Sequence, residues 1–292
     1  MVHVKRWPQA LALVLALAFA LAGCAVPSGS GKADISMGFL PRMSVTSSEI
    51  SNELKAVRDE LRIIDEMIAD KDLGLLDDDA SSEASELTKS EVAFYMSILE
   101  EYNKRLNEAV SDIKSRKEPE NRDMAELRKA ETAQFELAGA VVEEYMQVLH
   151  YIQSLLDLAE QMEAIGKVDA ANPAGMYEAI NKAIEKAVTK LESSEAPSFL
   201  RSMNDNMIAS LNELNDAVLY SLTAEDLDDP VRRNGAAYRM GILERKFARI
   251  SADADADTEE RREKLKQDIA TVQNVNEGLS RWVQANLDKL EN

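Results

Sequence analysis

Between Phe135 and Ala159 the chain reads FELAGAVVEEYMQVLHYIQSLLDLA. Phe135, Ala138, Val142, Tyr145, Leu149, Ile152, Leu156 and Ala159 recur at alternating steps of three and four, which is the period of a helix face and not of a strand. Val141, Val148 and Leu155 widen the stripe, as burial by more than one neighbour requires. The spacing predicts a helix from about Asn121 to Ile165, the longest of the chain. Some 45 residues at 1.5 Å each would extend about 68 Å.

Working towards the N-terminus, Ile50, Leu54, Val57, Leu61, Ile64 and Ile68 follow spacings of heptad type. Thr46 and Glu49 in front of them match a capping box, and Gly74 with Asp77-Asp78-Asp79 would end this helix. A second helix, beginning somewhere in 80–88, carries Tyr95, Ile98, Tyr102, Leu106, Ala109 and Ile113, and Pro119 breaks it or opens the next. Beyond Gly166, Asn172-Pro173 reads as N-cap and first residue of a helix with Tyr177, Ile180, Ile184, Ala187 and Leu191 inward. Pro197 separates it from a helix with Leu200, Met203, Met207, Leu211, Leu214 and Val218 on one face. Asp229-Pro230 opens the next. The run Asp253 to Asp257 reads as an acidic turn, with Asp257 or Thr258 capping a last helix that shows Leu265, Ile269, Val272, Leu279 and Val283. Asn276 and Asn286 fall on that seam, where asparagine fixes register at some cost in stability. No stretch alternates with period two for long enough to be a strand. The expectation is all-α: an elongated antiparallel bundle of about seven helices with coiled-coil-like seams, in one body over 46–292.

Charge narrows the functions. The chain has 292 residues with 34 Lys and Arg against 53 Asp and Glu. A net charge of −19 argues against nucleic acid, whose phosphates need a basic surface. Few glycines, prolines and aromatics fit helix better than sheet.

The N-terminus follows a different rule. Lys5 and Arg6 precede an unbroken apolar run from Ala10 to Ala22, and Leu21-Ala22-Gly23-Cys24 closes it with the chain's only cysteine. Thirteen apolar residues rise about 20 Å as a helix, short of a hydrocarbon core of roughly 30 Å, so the run suits a secretory signal better than a span. Leu21-Ala22-Gly23-Cys24 resembles the lipobox of bacterial lipoproteins. That resemblance implies cleavage after residue 23 and long acyl chains, palmitate among them, on Cys24. Each buried CH2 contributes about 0.8 kcal/mol, so several chains anchor a protein stably. It also explains a lone thiol with no disulfide partner. Ala25 in the next position implies the outer membrane, facing the periplasm, in a Gram-negative host. Residues 1–23 are then signal and 24–45 a lipidated tether. Pro27, Pro41 and Ser28-Gly29-Ser30-Gly31 would give that tether a coil-like span of about 25 Å. Removing Lys5 and Arg6 with the signal lowers 34 basic residues to 32 and takes the net charge to −21.

Chemistry-bearing patterns are sparse. Asp253, Asp255 and Asp257 match positions 1, 3 and 5 of a calcium loop, but Thr258 and Lys264 stand where that loop needs Gly and Glu. His150, the one histidine left after cleavage, has Gln147 three residues before it in place of the Glu of a di-iron motif. Nor does one histidine make a zinc site of the usual kind. No G-x-S-x-G, H-E-x-x-H, phosphate loop or dinucleotide fingerprint occurs. The residues single out no catalytic group, no metal and no cofactor. The methionines at 124, 146, 162, 203 and 207 lie at helical spacings, where filling a core is their commoner use. Arg232, Arg239 and Lys246 recur every seven residues, with Arg233, Arg245 and Arg249 nearby, in an otherwise acidic chain. They are either a face neutralised by neighbouring acids or a docking patch for an anionic partner. The sequence therefore points to a non-enzymatic, membrane-anchored envelope lipoprotein that acts on another envelope protein. A carrier or sensor holding a small ligand between helices, and an acidic inhibitor or immunity-type lipoprotein binding a basic protein, are the alternatives.

Overall fold

A computed structural model describes residues 48–70, 88–117, 119, 122–165, 173–226 and 230–291. Among the described residues there are six α-helices, one short 3-10 turn and no strand. They are α1 (Ser48–Ala69), α2 (Lys89–Ser115), α3 (Arg122–Ile165), α4 (Pro173–Ser193), the turn Ser198–Leu200, α5 (Arg201–Asp226) and α6 (Pro230–Glu291). The chain is an all-α helical bundle. Residues 1–47, the expected terminator at Gly74 to Asp79, and the caps Thr46, Asn172 and Asp229 lie outside the described residues.

Two expectations change at α6. The last two helices are one, 62 residues long, so α6 and not α3 is the longest. The acidic run from Asp253 to Asp257 is a stretch of this helix and not a turn. No glycine or proline occurs between Gly241 and Gly278, so aspartate is the only helix-opposing residue type concentrated there. Ala254 sits fully buried in a core cluster, and Arg249 pairs with Asp253 one turn on (3.6 Å). Packing outweighs the modest propensity penalty of the aspartates.

Helix α2 starts with a capping box. The Thr88 amide donates to Glu91 Oε2 (2.7 Å) and the Glu91 amide donates to Thr88 Oγ1 (3.2 Å). The Thr88 amide hydrogen bond holds the Glu91 carboxyl below its usual range. The inner face of α2 departs from the heptad reading. Val92, Met96 and Leu99 are buried, while Tyr95 and Ile98 are only half-buried. Counting back from Tyr102, the buried positions step by three, three and four, so two successive steps of three carry the inner face onto 99, 96 and 92. Phe94, displaced to the surface, meets Tyr95 edge to face (5.8 Å between centroids).

The chain divides into two compact units, and the division does not follow chain order. Of the described residues the first takes in 88–92, 147–165, 173–226 and 230–261, so its helices are the first turn of α2, the end of α3, α4, α5 and the start of α6. Tyr151, Ile184, Leu211 and Phe247, one from each helix, meet in its core. Helix pairing is antiparallel: Asn181 faces Asn215 while Leu191 faces Asn204 (α4 and α5), and Glu213 faces Lys246 while Tyr220 faces Arg239 (α5 and α6). Tyr151 Oη donates to Asn204 Oδ1 (3.0 Å), and Asn204 Nδ2 donates to the carbonyl of Leu191 (3.4 Å) near the end of α4. Both side chains are buried. Tyr151→Phe would leave Asn204 Oδ1 without its donor, at an expected cost of about 1–3 kcal/mol. Urea unfolding checks this, and an unchanged midpoint would remove the bridge from the account.

Of the described residues the second unit takes in 48–70, 93–117, 119, 122–146 and 262–291, and its helices are α1, most of α2, the start of α3 and the end of α6. Leu61, Leu106, Phe135 and Val272 are buried in it, one from each helix. Asp70 meets Tyr102 and Glu66 meets Arg105, so α1 and α2 run antiparallel. Burial, with the Asp70 hydrogen bond, pushes the Tyr102 phenol up to about 12. Asn276 is fully buried and donates to Asp65 Oδ1 (2.6 Å) and to the carbonyl of Leu61 (3.2 Å), so one amide ties α6 to α1. Asn286, the other seam asparagine, donates to its own helix at the Trp282 carbonyl.

Candidate functional site

Cys24 lies outside the described residues, so the structure bears only on the other candidates. The basic stripe belongs to the start of α6 in the first unit. Arg239 stacks its guanidinium on the Tyr220 ring of α5 (4.2 Å to the centroid). Gly235, one turn earlier, gives that phenol room, because a Cβ there would lie 3.1 Å from the Tyr220 oxygen. Lys246 reaches both carboxylate oxygens of Glu213 (2.6 and 2.5 Å), and Arg249 pairs with Asp253. The side chain of Arg232 lies outside the description. The structure thus brings Arg239 and Lys246 to α5 and Arg249 to an acid of its own helix, each against a partner inside the unit. All three stay largely exposed, so each pair contributes at most about 1 kcal/mol.

His150 is exposed and borders an open groove of about 400 Å3 in the first unit. Gln147, Gln153 and Asp157 line it from α3, and Lys190, Ser194 and Glu195 from the end of α4. Two of its charges, Asp157 and Lys190, are already matched. Asp157 accepts from Lys89 (2.7 Å) and Lys190 (3.4 Å), and Lys89 also pairs with Glu160. Partial burial raises the Asp157 carboxyl, but the two ammonium groups outweigh it and hold the carboxyl below its usual range. Two hydroxyls are committed as well, Ser154 to the His150 carbonyl and Ser194 to the Leu191 carbonyl. The groove offers amides and an imidazole to a polar ligand, on a floor whose ions pair among themselves.

Asp253 and Asp257 lie one turn apart on a continuous helix, which is not a calcium-loop geometry. Among the described residues no three His, Cys, Asp or Glu side chains come together to hold a metal. Met124, Met203 and Met207 are buried in core positions, Met146 is half-buried, and the side chain of Met162 lies outside the description.

One cluster escaped the sequence reading. In the second unit Glu53 and Glu60 of α1, Arg116 just past α2, and Arg128 and Glu131 of α3 converge. Arg128 Nε donates to Glu53 Oε1 (3.1 Å), and its Nη1 donates to the carbonyls of Lys117 (2.7 Å) and Arg116 (3.3 Å), capping the end of α2. Arg116 pairs with Glu60 through Nη2. Its Nη1 lies 3.7 Å from Glu131 and 4.0 Å from Glu53, too far for a hydrogen bond to either. Glu131 is fully buried, and neither carboxylate oxygen has a hydrogen-bond partner. Burial pushes its carboxyl up to about 7 against the opposing pull of Arg116. The sequence did hold a signal. Stepping back from Ala138 by four, three and four gives Gln134, Glu131 and Leu127, so two polar residues continue the apolar stripe of α3. Gln134 is buried too, with Nε2 donating to the Val272 carbonyl of α6 (2.7 Å).

No protein-family model, curated protein or solved structure matches the chain.

Proposed function

We propose that this chain is a lipid-anchored lipoprotein of the bacterial cell envelope, whose helical body is a non-enzymatic module acting by contact with another envelope protein. The observation that carries the reading is Leu21-Ala22-Gly23-Cys24 at the end of a charged-then-apolar leader. In a Gram-negative host, Ala25 favours the outer membrane, facing the periplasm. Among the described residues no helix is long and apolar enough to cross a membrane, so a lipid on Cys24 would supply attachment the helices do not. A body with net charge −21 after cleavage is repelled by anionic headgroups and attracted to basic protein surfaces.

Crosslinking in intact cells tests the contact. Photoreactive residues spread over exposed positions of both units should give a discrete adduct of one size from one face only. Adducts from every face alike, or from none, would overturn the reading. The basic stripe is tested beside it. Arg232, Arg239 and Lys246 changed together to Gln remove one aromatic stack and one ion pair, so stability should fall by less than about 2 kcal/mol. Because Arg239 and Lys246 are already partnered, the adduct yield and its salt dependence should stay unchanged. A yield that drops and loses its salt dependence would make the stripe the docking surface.

The groove beside His150 supports a second reading, a carrier for a small polar ligand. Dialysis of the mature protein against pooled envelope metabolites decides it. Retention that fails in His150→Ala would favour the carrier.

A further inference from the structure

Three carboxylates and two guanidinium groups share this cluster of the second unit, in which Glu131 is fully buried and the other four are half-buried. Glu53 and Glu60 each have an arginine in contact, Arg128 and Arg116 respectively. Glu131 is left over. With Glu131 protonated the five groups sum to zero, and with it ionised they carry one uncompensated negative charge at a position closed to water. We propose that Glu131 is a proton-operated switch, which fastens the junction of α1, α2 and α3 when protonated and loosens it when the proton leaves.

The geometry shows how the loss of a proton is transmitted. Arg116 Nη1 stands 3.7 Å from Glu131 with no hydrogen-bond partner, while Nη2 holds Glu60 of α1. An ionised Glu131 competes with Glu60 for that guanidinium, and Arg116 immediately follows the end of α2. Drawing it towards α3 weakens the tie to α1 and strains the carbonyls that Arg128 caps. The charged groups facing Glu131 are Glu53 and Glu60 from α1, Arg116 from the end of α2, and Arg128 from its own helix. The charges that act on its carboxyl are Arg116, Glu53 and Arg128. One turn along α3, Gln134 donates to the carbonyl of Val272 of α6, and no α6 charge is among those that act on Glu131.

The direction follows from the raised carboxyl. The folded protein holds the Glu131 proton up to about pH 7, while the unfolded chain releases it near 4.5. Folded-state stability from this residue is therefore full below about 4.5, declines as pH rises to 7, and is level above. Between pH 5 and 8 the unfolding constant should rise by roughly tenfold to a hundredfold on this account alone.

The test uses the full mature chain. Urea unfolding at pH 5, 6, 7 and 8 should show that rise in the wild type and lose most of it in Glu131→Gln, which keeps the shape without the charge. Hydrogen exchange should quicken in residues 110–117 between pH 6 and 8, after correction for intrinsic rates, in the wild type and not in the variant. Should Glu131→Gln fail to fold, carbon-13 titration of the Glu131 carboxyl in the wild type takes its place, with a midpoint expected near 7. A midpoint below 5.5, or equal pH dependence in wild type and variant, would overturn the proposal.

Discussion

If the proposed lipid anchor holds, Cys24→Ser is expected to shift the protein from the membrane to the soluble fraction or to leave its leader uncut. A serine hydroxyl does not replace the thiol that lipobox chemistry acylates, and the apolar run before it is too short to span. Two or three acyl chains with some 14 buried CH2 groups each contribute tens of kcal/mol, at about 0.8 kcal/mol per group. No other feature of the chain is asked to supply attachment of that size. Metabolic labelling with a fatty acid, followed by carbonate and high-salt washes, reads the outcome. A serine variant that still takes up label, or stays with membrane after both washes, would refute the anchor.

Phe135→Ala should cost about 3–5 kcal/mol, a large share of the 5–15 kcal/mol that holds a typical domain together. Phe135 is fully buried and is one of the largest side chains in the molecule with no solvent exposure. Its removal loses aromatic area and leaves a cavity that rigid helix backbones close only in part. Glu136 next to it makes a sharp control. Its ion pair to Lys114 (2.8 Å) is more than half exposed at both ends, so Glu136→Ala should cost less than about 1 kcal/mol. The shifts in denaturant midpoint at the two neighbouring positions should therefore differ severalfold. Equal shifts would mean that α3 does not present its 135–159 stripe to the core.

Much of this fold was legible because apolar period is a direct readout of burial. Leu54, Val57, Leu61 and Ile64 of α1, and Met203, Met207, Leu211 and Leu214 of α5, are buried at the positions their spacing gives. What failed was punctuation. Asp253 to Asp257 carries the residues of a turn, but a buried Ala254 in the same run ties the helix to its core, and tertiary packing overrides local preference. The capping box at Thr88-Glu91 has the same T-x-x-E form as Thr46-Glu49, and it sets the start of α2 at the end of the 80–88 range that the apolar spacing leaves open. The cluster around Glu131 was hidden for another reason. A glutamate in a chain with 53 acidic residues draws no notice until its place on an apolar stripe is counted. The partners of Arg239 and Lys246 depend on which helix lies beside α6, and one helix's spacing does not encode that, whereas the Arg249–Asp253 pair lies within α6 at a spacing of four.

The second unit also has a timetable. Its helices come from three separated stretches, and Asn276 closes on Leu61 across 215 residues. At roughly 5–20 residues per second, α1 would wait about 10–40 s after synthesis for its α6 partner to be made. Throughout that interval Leu54, Leu61 and Ile64 lack one side of their shelter. The loop to be closed is long, and its entropy must be spent before the contacts are gained. Early pairing of α1 with α2, through Tyr102 to Asp70 and Arg105 to Glu66, is then the only described cover available to that stripe before α3 arrives. Weakening either contact should lower the yield of folded protein more than it lowers the stability of what does fold.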